Sequence, residues 1–132
     1  MILVDTSVLL PYLKGKETAA GALLDRLLSE EVEMALTPEI VQEVLQGARD
    51  EKEWRTLKRY LSSQRVVNLS DPLRSHVAAA RIYYECRRRG FTVRSTLDCL
   101  VAQAALEQGV PLLHDDRDYE AIRRVRPLKT LP

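Results

Sequence analysis

Short aliphatic runs alternating with longer helical stretches constrain this chain more than any other feature. The runs are Ile2 to Val4, Met34 to Leu36, Val66 to Leu69 and Leu112 to His114, with a weaker one from Pro127 to Leu131. Between them apolar residues recur at helical period. Parallel strands need crossover connections, and helices in those crossovers bury both faces of a sheet. The pattern therefore predicts an α/β fold, a three-layer α/β/α sandwich with a mostly parallel sheet. With 132 residues, 45% apolar and 30% charged, it has enough material for one core, and a single domain over 1–132 is expected.

Helix boundaries are legible in places. Thr37 before Pro38 predicts an N-cap and first-turn proline for a helix to about Ala48, and Ser95/Thr96 can open another ending at Gly109. Pro72 and Gly90 frame a long helix from Asp71 to Arg89. The stretches 18–29 and 50–61 are also predicted helical.

Several function classes are disfavoured at once. Cys86 and Cys99 lack metal-ligand spacing and a nearby histidine, so neither a zinc site nor a disulfide framework is expected, and a reducing cytoplasm suits them. The opening apolar run stops at Asp5, too short for a signal-peptide core, and no stretch approaches the roughly 18 apolar residues of a membrane span. Aromatics at 5% weaken any reading built on base-stacking platforms. The net charge of +1 conceals an asymmetry: residues 1–66 carry 9 Lys/Arg against 11 Asp/Glu, and residues 67–132 carry 11 against 8. Arg81, Arg87, Arg88, Arg89 and Arg94 cluster upstream of Asp98, where they read either as a guide for a polyanion or as a solvated helix end.

The acids carry the chemistry. Asp5 ends the first run, on the strand-end rim where open parallel sheets place their ligands, although it serves equally as a helix cap. Glu43 stands at the edge of the arc Ile40, Val41, Val44, Leu45 and Ala48, facing either a cleft or solvent. Asp98 falls on the helical wheel between Ala102 and Ala105, which leave room for an ion, though a first-turn acid also suits the helix dipole. Asp116 follows the strand ending near His114, and Asp118 is the better candidate to cap the next helix. Two bare carboxylates 4 Å apart repel by about 4 kcal/mol at an effective dielectric near 20, so a gathering of four calls for a cation. Oxygen-only ligands select Mg²⁺ or Mn²⁺ over zinc.

Four blocks now stand in order: Ile2-Leu3-Val4-Asp5-Thr6-Ser7, Thr37-Pro38-Glu39-Ile40-Val41-Gln42-Glu43-Val44, Arg94-Ser95-Thr96-Leu97-Asp98-Cys99-Leu100-Val101-Ala102, and Leu113-His114-Asp115-Asp116-Arg117-Asp118-Tyr119. Together they resemble the PIN domain, and within it the VapC-type toxins of toxin-antitoxin pairs, over nearly the whole chain. The resemblance implies a metal-dependent endoribonuclease with Asp5, Glu43, Asp98 and Asp116 as catalytic acids. Asp5, Asp98 and Asp116 would be metal ligands, and Thr6, Ser7, Thr96 and Asp118 supporting polar groups. Mg²⁺ is the implied cofactor, with Mn²⁺ substituting. It implies further a transfer- or ribosomal-RNA substrate, a cognate small antitoxin whose tail fills the acidic cleft, and a homodimer. Arg87, Arg88, Arg89 and Arg94 become candidate RNA contacts. The family often has phenylalanine where Tyr119 stands.

Three other readings compete with this one. An inactive PIN-like module that only holds RNA or protein would be expected to lack an acid, and all four are present. A phosphoacceptor using Asp5 would want a second aspartate where Ser7 stands. A ribonuclease acting through the 2′-hydroxyl needs an acid-base pair, and His76 and His114 are distant in sequence, His76 on a solvated helix and His114 at a strand end.

Overall fold

The structure, a computed structural model, describes residues 1–131. Its elements run β1 (Ile2–Val4), α1 (Thr6–Leu13), α2 (Ala19–Ser29), β2 (Met34–Leu36), α3 (Pro38–Leu45), α4 (Glu51–Ser62), β3 (Arg65–Val66), α5 (Pro72–Arg88), α6 (Thr96–Gln108), β4 (Leu112–Leu113), α7 (Arg117–Arg123) and β5 (Thr130–Leu131). The five strands form one all-parallel sheet in the order β3-β2-β1-β4-β5. Helices cover it, as the alternating pattern predicts.

The strand order positions the site. From β1 the chain steps outward to β2 and β3, then returns through α5 and α6 to lay β4 on the other side of β1. Connections leave β1 and β4 in opposite directions, so a crevice opens between their carboxyl ends. Leu3 pairs with Leu112 and Val4 with Leu113, and the N–H of Asp5 donates to the Leu113 carbonyl at 3.0 Å. Asp5 and the segment that carries Asp116 thus leave the sheet side by side.

Burial explains why these segments are strands and helices. β1, β2 and β4 are covered on both faces and read as unbroken aliphatic runs, with Leu3, Val4, Leu36, Leu112 and Leu113 fully buried. On α3, Ile40 and Val44 are buried, while Val41 and Leu45 pack partly against the core, as does Ala48 just beyond the helix. The helix stops at Leu45, before the expected Ala48, with its cap at Gln46 beside Gly47. α6 ends at Gly109, whose φ of +65° is a left-handed conformation that favours glycine.

Three strands differ from the sequence expectation, β4 only in ending at Leu113 instead of His114. β3 is Arg65–Val66 instead of Val66 to Leu69, because the last sheet bond runs from the Val67 N–H to the Leu36 carbonyl and the chain then turns toward α6. There the Ser70 N–H and hydroxyl both donate to Glu107. β5 shrinks to Thr130–Leu131, since only Leu112 and Leu113 offer it partners. Both cysteines are buried and free, and burial raises their thiol pKa values, as suits inert core residues. Among the described residues no helix is long and apolar enough to cross a membrane.

Candidate active site

Each predicted acid reaches the β1/β4 crevice by a different route. Asp5 is the N-cap of α1, and its Oδ2 accepts from the Ser7 N–H at 3.0 Å and the Ser7 hydroxyl at 2.6 Å. Cap and site residue are therefore one. Ser7 Oγ in turn accepts from the Asp115 N–H at 2.9 Å, tying the end of β1 to the loop after β4. Asp98 sits in the first turn of α6, 5% exposed, over the small buried Ala102 and Ala105. Glu43, half-buried on α3, accepts from the Thr6 hydroxyl at 3.1 Å.

The capping expectation for the last block is reversed. Asp116 is the N-cap of α7, its Oδ1 accepting from the Asp118 N–H at 2.9 Å. Asp118 points inward instead, 3% exposed, and accepts from the Arg94 N–H at 2.8 Å, the Ser95 N–H at 3.2 Å and Arg94 Nε at 3.2 Å. It anchors the loop that starts α6 and so fixes where Asp98 begins. Ser95 is the N-cap of α6 by position but makes no side-chain cap bond, and Thr96 is exposed.

Carboxylate oxygens of Asp98, Asp116 and Asp118 lie within 4.8 Å of one another, a spacing one cation could bridge. Asp5 and Asp98 meet at Tyr119, which the sequence marks only as a departure from the family's usual phenylalanine, with no site role. The Tyr119 hydroxyl, fully buried, donates to Asp5 Oδ1 at 2.6 Å and lies 3.4 Å from Asp98 Oδ1. The available clue was spacing: Tyr119 stands one helical turn after Asp116. Its ring packs against His114, with centroids 4.8 Å apart. An open groove lined by His114, Asp115, Asp116, Arg117, Glu120 and Arg123 borders the acids.

The electrostatics register this crowding. Burial, then the charges of Asp5 and Asp116, push the Asp98 carboxyl up to about 8. Burial also raises Glu43, opposed by the Thr6 hydrogen bond and reinforced by Asp5, Glu39 and Asp116. Burial would raise Asp118 too, but the Arg94 N–H, a hydrogen bond from the protonated Asp98 carboxyl, the Arg94 guanidinium and the Ser95 N–H together hold it below its usual value. Burial beside Asp5 and Asp98 keeps Tyr119 neutral, with its phenol well above the normal range. Once Asp98 is ionised, its Oδ2 is buried without a hydrogen-bond partner, a costly state that a cation at that oxygen would relieve. Hard oxygen donors around an orphaned carboxylate oxygen fit Mg²⁺ or Mn²⁺.

The candidate arginines divide. Arg94 turns into the acidic cluster, with Nη2 3.0 Å from Asp116 Oδ1 and Nε 3.2 Å from Asp118 Oδ1, while its side chain stays 61% exposed. Arg87 and Arg88 lie exposed at the end of α5, their guanidinium groups 6.0 Å from the centre of the Tyr84 ring. Arg89 donates to the Arg124 carbonyl at 2.6 Å and stacks over Phe91. His76 is exposed on α5, its Nδ1 beside the Pro72 carbonyl, and belongs to no acid-base pair.

Comparison with known proteins agrees with this geometry. The PIN domain family matches residues 2–125. The VapC ribonuclease Mb1587 of Mycobacterium bovis and ribonuclease VapC11 of Mycobacterium tuberculosis are each 38% identical over 130 residues, covering 98% of this chain and 96% of theirs. Among solved structures, VapBC2 from Rickettsia felis, bound to a DNA fragment from its promoter, superposes with a TM-score of 0.74 at 17% identity, covering 99% of this chain and 98% of the other. Mycobacterium tuberculosis VapC20, described as a sarcin-ricin loop cleaving toxin, gives 0.66 at 16% identity, covering 92% and 94%. The fold, the acidic rim and full-length identity above the level of chance place the chain in one group: it belongs to the PIN-domain family and, within it, to the VapC-type ribonucleases.

Proposed function

We propose that this VapC-type ribonuclease is the toxin of a toxin-antitoxin pair and hydrolyses structured RNA with Mg²⁺ or Mn²⁺ held by Asp5, Asp98 and Asp116; Asp118, although spaced with Asp98 and Asp116 for one cation, is engaged by Arg94 and the Ser95 N–H. The observation that carries the reading is Asp98, buried among like charges with one oxygen unpartnered. When bound, the ion supplies positive charge to the scissile phosphate and eases ionisation of an attacking water. The chain's own groups do the rest. Glu43, raised by burial and oriented by Thr6, is placed to take the proton from that water. Ser7 orients Asp5, and Asp118 with Ser95 sets the start of α6 and hence the position of Asp98. Arg87 and Arg88 offer cations to RNA phosphates, with Arg89 partly engaged by the fold.

The substrate is a transfer or ribosomal RNA, the enzyme is a cytoplasmic homodimer, and a small antitoxin inhibits it. Relatives solved as VapBC complexes support the antitoxin, and the anionic rim suits a cationic side chain from its tail. Copurification with the product of the adjoining reading frame tests the pairing: a purified neighbour that neither binds nor suppresses cleavage removes the toxin reading.

The chemistry is tested on the ends of the products. Water attack leaves 5′-phosphate and 3′-hydroxyl ends and does not require the 2′-hydroxyl, so a single-deoxy substrate at the cut should still be cleaved. Cleavage should stop with chelator and return with Mg²⁺ or Mn²⁺. A 2′,3′-cyclic phosphate made by wild type but not by Asp98→Asn, with the deoxy substrate uncut, overturns the hydrolytic mechanism. RNA binding without any cleavage would instead favour an inactive module.

A further inference from the structure

We infer that Tyr119 is a positioning residue of the metal site: its hydroxyl fixes the rotation of the Asp5 carboxylate and spaces it from Asp98. The inference rests on the metal-site reading above. An ionised carboxylate offers about four lone-pair directions. At Asp5, Ser7 takes two on Oδ2 through its N–H and hydroxyl, and Tyr119 takes one on Oδ1 at 2.6 Å. One direction on Oδ1 remains, and the phenol decides where it points.

The phenol has one proton and gives it to Asp5, the nearer acid. Its oxygen then faces Asp98 Oδ1 at 3.4 Å, where it can accept from that carboxyl in its protonated form. A buried phenol hydroxyl must be bonded to be tolerated, and both of its neighbours here are carboxylates of the site, not backbone groups. Tyr119 is also on α7, the helix capped by Asp116. One short helix therefore supplies one acid and orients another from β1, 114 positions away in sequence. Groups that hold metal ligands in place typically contribute 10- to 100-fold to metal affinity.

The test is Mn²⁺ titration, followed by electron paramagnetic resonance of the free ion, on wild type and Tyr119→Phe, alongside RNA cleavage as a function of metal concentration. The Phe variant keeps the ring and loses only the donor. Its Mn²⁺ dissociation constant should rise about 10- to 100-fold. The metal concentration for half-maximal cleavage should rise in parallel, while the rate at saturating metal returns to within a few-fold of wild type. A role in packing alone would lower the melting temperature and leave Mn²⁺ affinity unchanged, and that result overturns the inference. Incorporating 4-aminophenylalanine at position 119 restores a donor and should restore affinity to within about threefold, by the same reasoning on ligand support. This second variant carries the test if the Phe variant does not fold, and a fold with affinity still lost counts against the inference. If wild type itself binds no Mn²⁺, the metal-site reading falls and takes this inference with it.

Discussion

The two ends of the acidic cluster handle the same problem in opposite ways. At the Asp116/Asp118 end, Arg94 brings a cation from the chain itself, and backbone N–H groups of residues 94 and 95 complete the coordination of Asp118. At the Asp5/Asp98 end no side-chain cation enters among the described residues. Asp5 is satisfied by neutral donors, and Asp98 is left with an orphaned oxygen and a carboxyl pushed up to about 8. A fold selected for stability alone would compensate both ends. The uncompensated end is therefore where an external cation has the most to gain, and the compensated end is the scaffold that keeps it open.

Removing charge from the uncompensated end should have the largest effect. Asp98→Asn keeps the side chain's shape, so the protein should fold. RNA cleavage under constant metal should fall by on the order of a thousandfold, since the ion's contribution to the transition state amounts to several kcal/mol. Wild-type cleavage by a folded Asp98→Asn protein would dissolve the contrast between the two ends.

The same contrast predicts a pH dependence of stability without metal. Asp98 has a pKa near 3.9 in an unfolded chain and about 8 in the fold. Between those values the folded state holds the extra proton, so stability should fall as pH rises from about 4 to about 8. Asp98→Asn removes this slope. By pH 8 the variant should be the more stable protein, with the higher melting temperature. Mn²⁺ added to wild type at pH 8 should close the gap. Parallel melting curves for the two proteins from pH 5 to pH 8 would contradict the assignment of Asp98 as the strained group.

How far the sequence led is clearest at these same residues. The strands that carry Asp5 and Asp116 were legible because doubly covered parallel strands are unbroken aliphatic runs, and the alternation fixed their parallel order in outline. The capping roles of Asp116 and Asp118 were not, because the two acids stand two positions apart at the start of α7 and only a tertiary partner, the 94–95 loop, draws Asp118 inward. Arg94 read as a surface cation for the same reason: its partners lie 22 and 24 positions away. Tyr119 stood out only as a tyrosine in place of phenylalanine and carried no site role, because an aromatic residue on an apolar helix face has a sufficient explanation in packing, and its hydroxyl's partner is at the other end of the chain.

Arg94→Gln would make the compensated end resemble the other. Asp118 keeps two backbone donors, so the loss of stability should be small for an ion pair whose cation is largely exposed and screened by water. The unshielded acids should then bind Mn²⁺ several-fold more tightly at low salt, with the gain fading near 1 M salt, where the screening length is about 3 Å. Tighter metal binding combined with weaker RNA binding would assign Arg94 both roles. Unchanged Mn²⁺ affinity in a folded variant would show that its charge is already screened by water.

The smallest effect belongs outside the cluster, at the end of α5. Arg87 and Arg88 are exposed, and no carboxylate lies within ion-pair distance of either among the described residues, whereas Arg81 pairs with Glu85 and Arg126 with the same Glu85. Their charge is free to meet a polyanion. Replacing both with Gln should leave the melting temperature and Mn²⁺ affinity unchanged, because neither side chain touches the acids. RNA binding should weaken, and the slope of log affinity against log salt should decrease by about 0.7 for each single-stranded phosphate contact removed. The rate at saturating RNA should change little if, as proposed, the reacting phosphate is held at the β1/β4 crevice, which neither side chain reaches. An unchanged salt slope in the double variant would make this arginine cluster a solvated helix end, and would move the search for the RNA path to the groove bordered by Arg117 and Arg123.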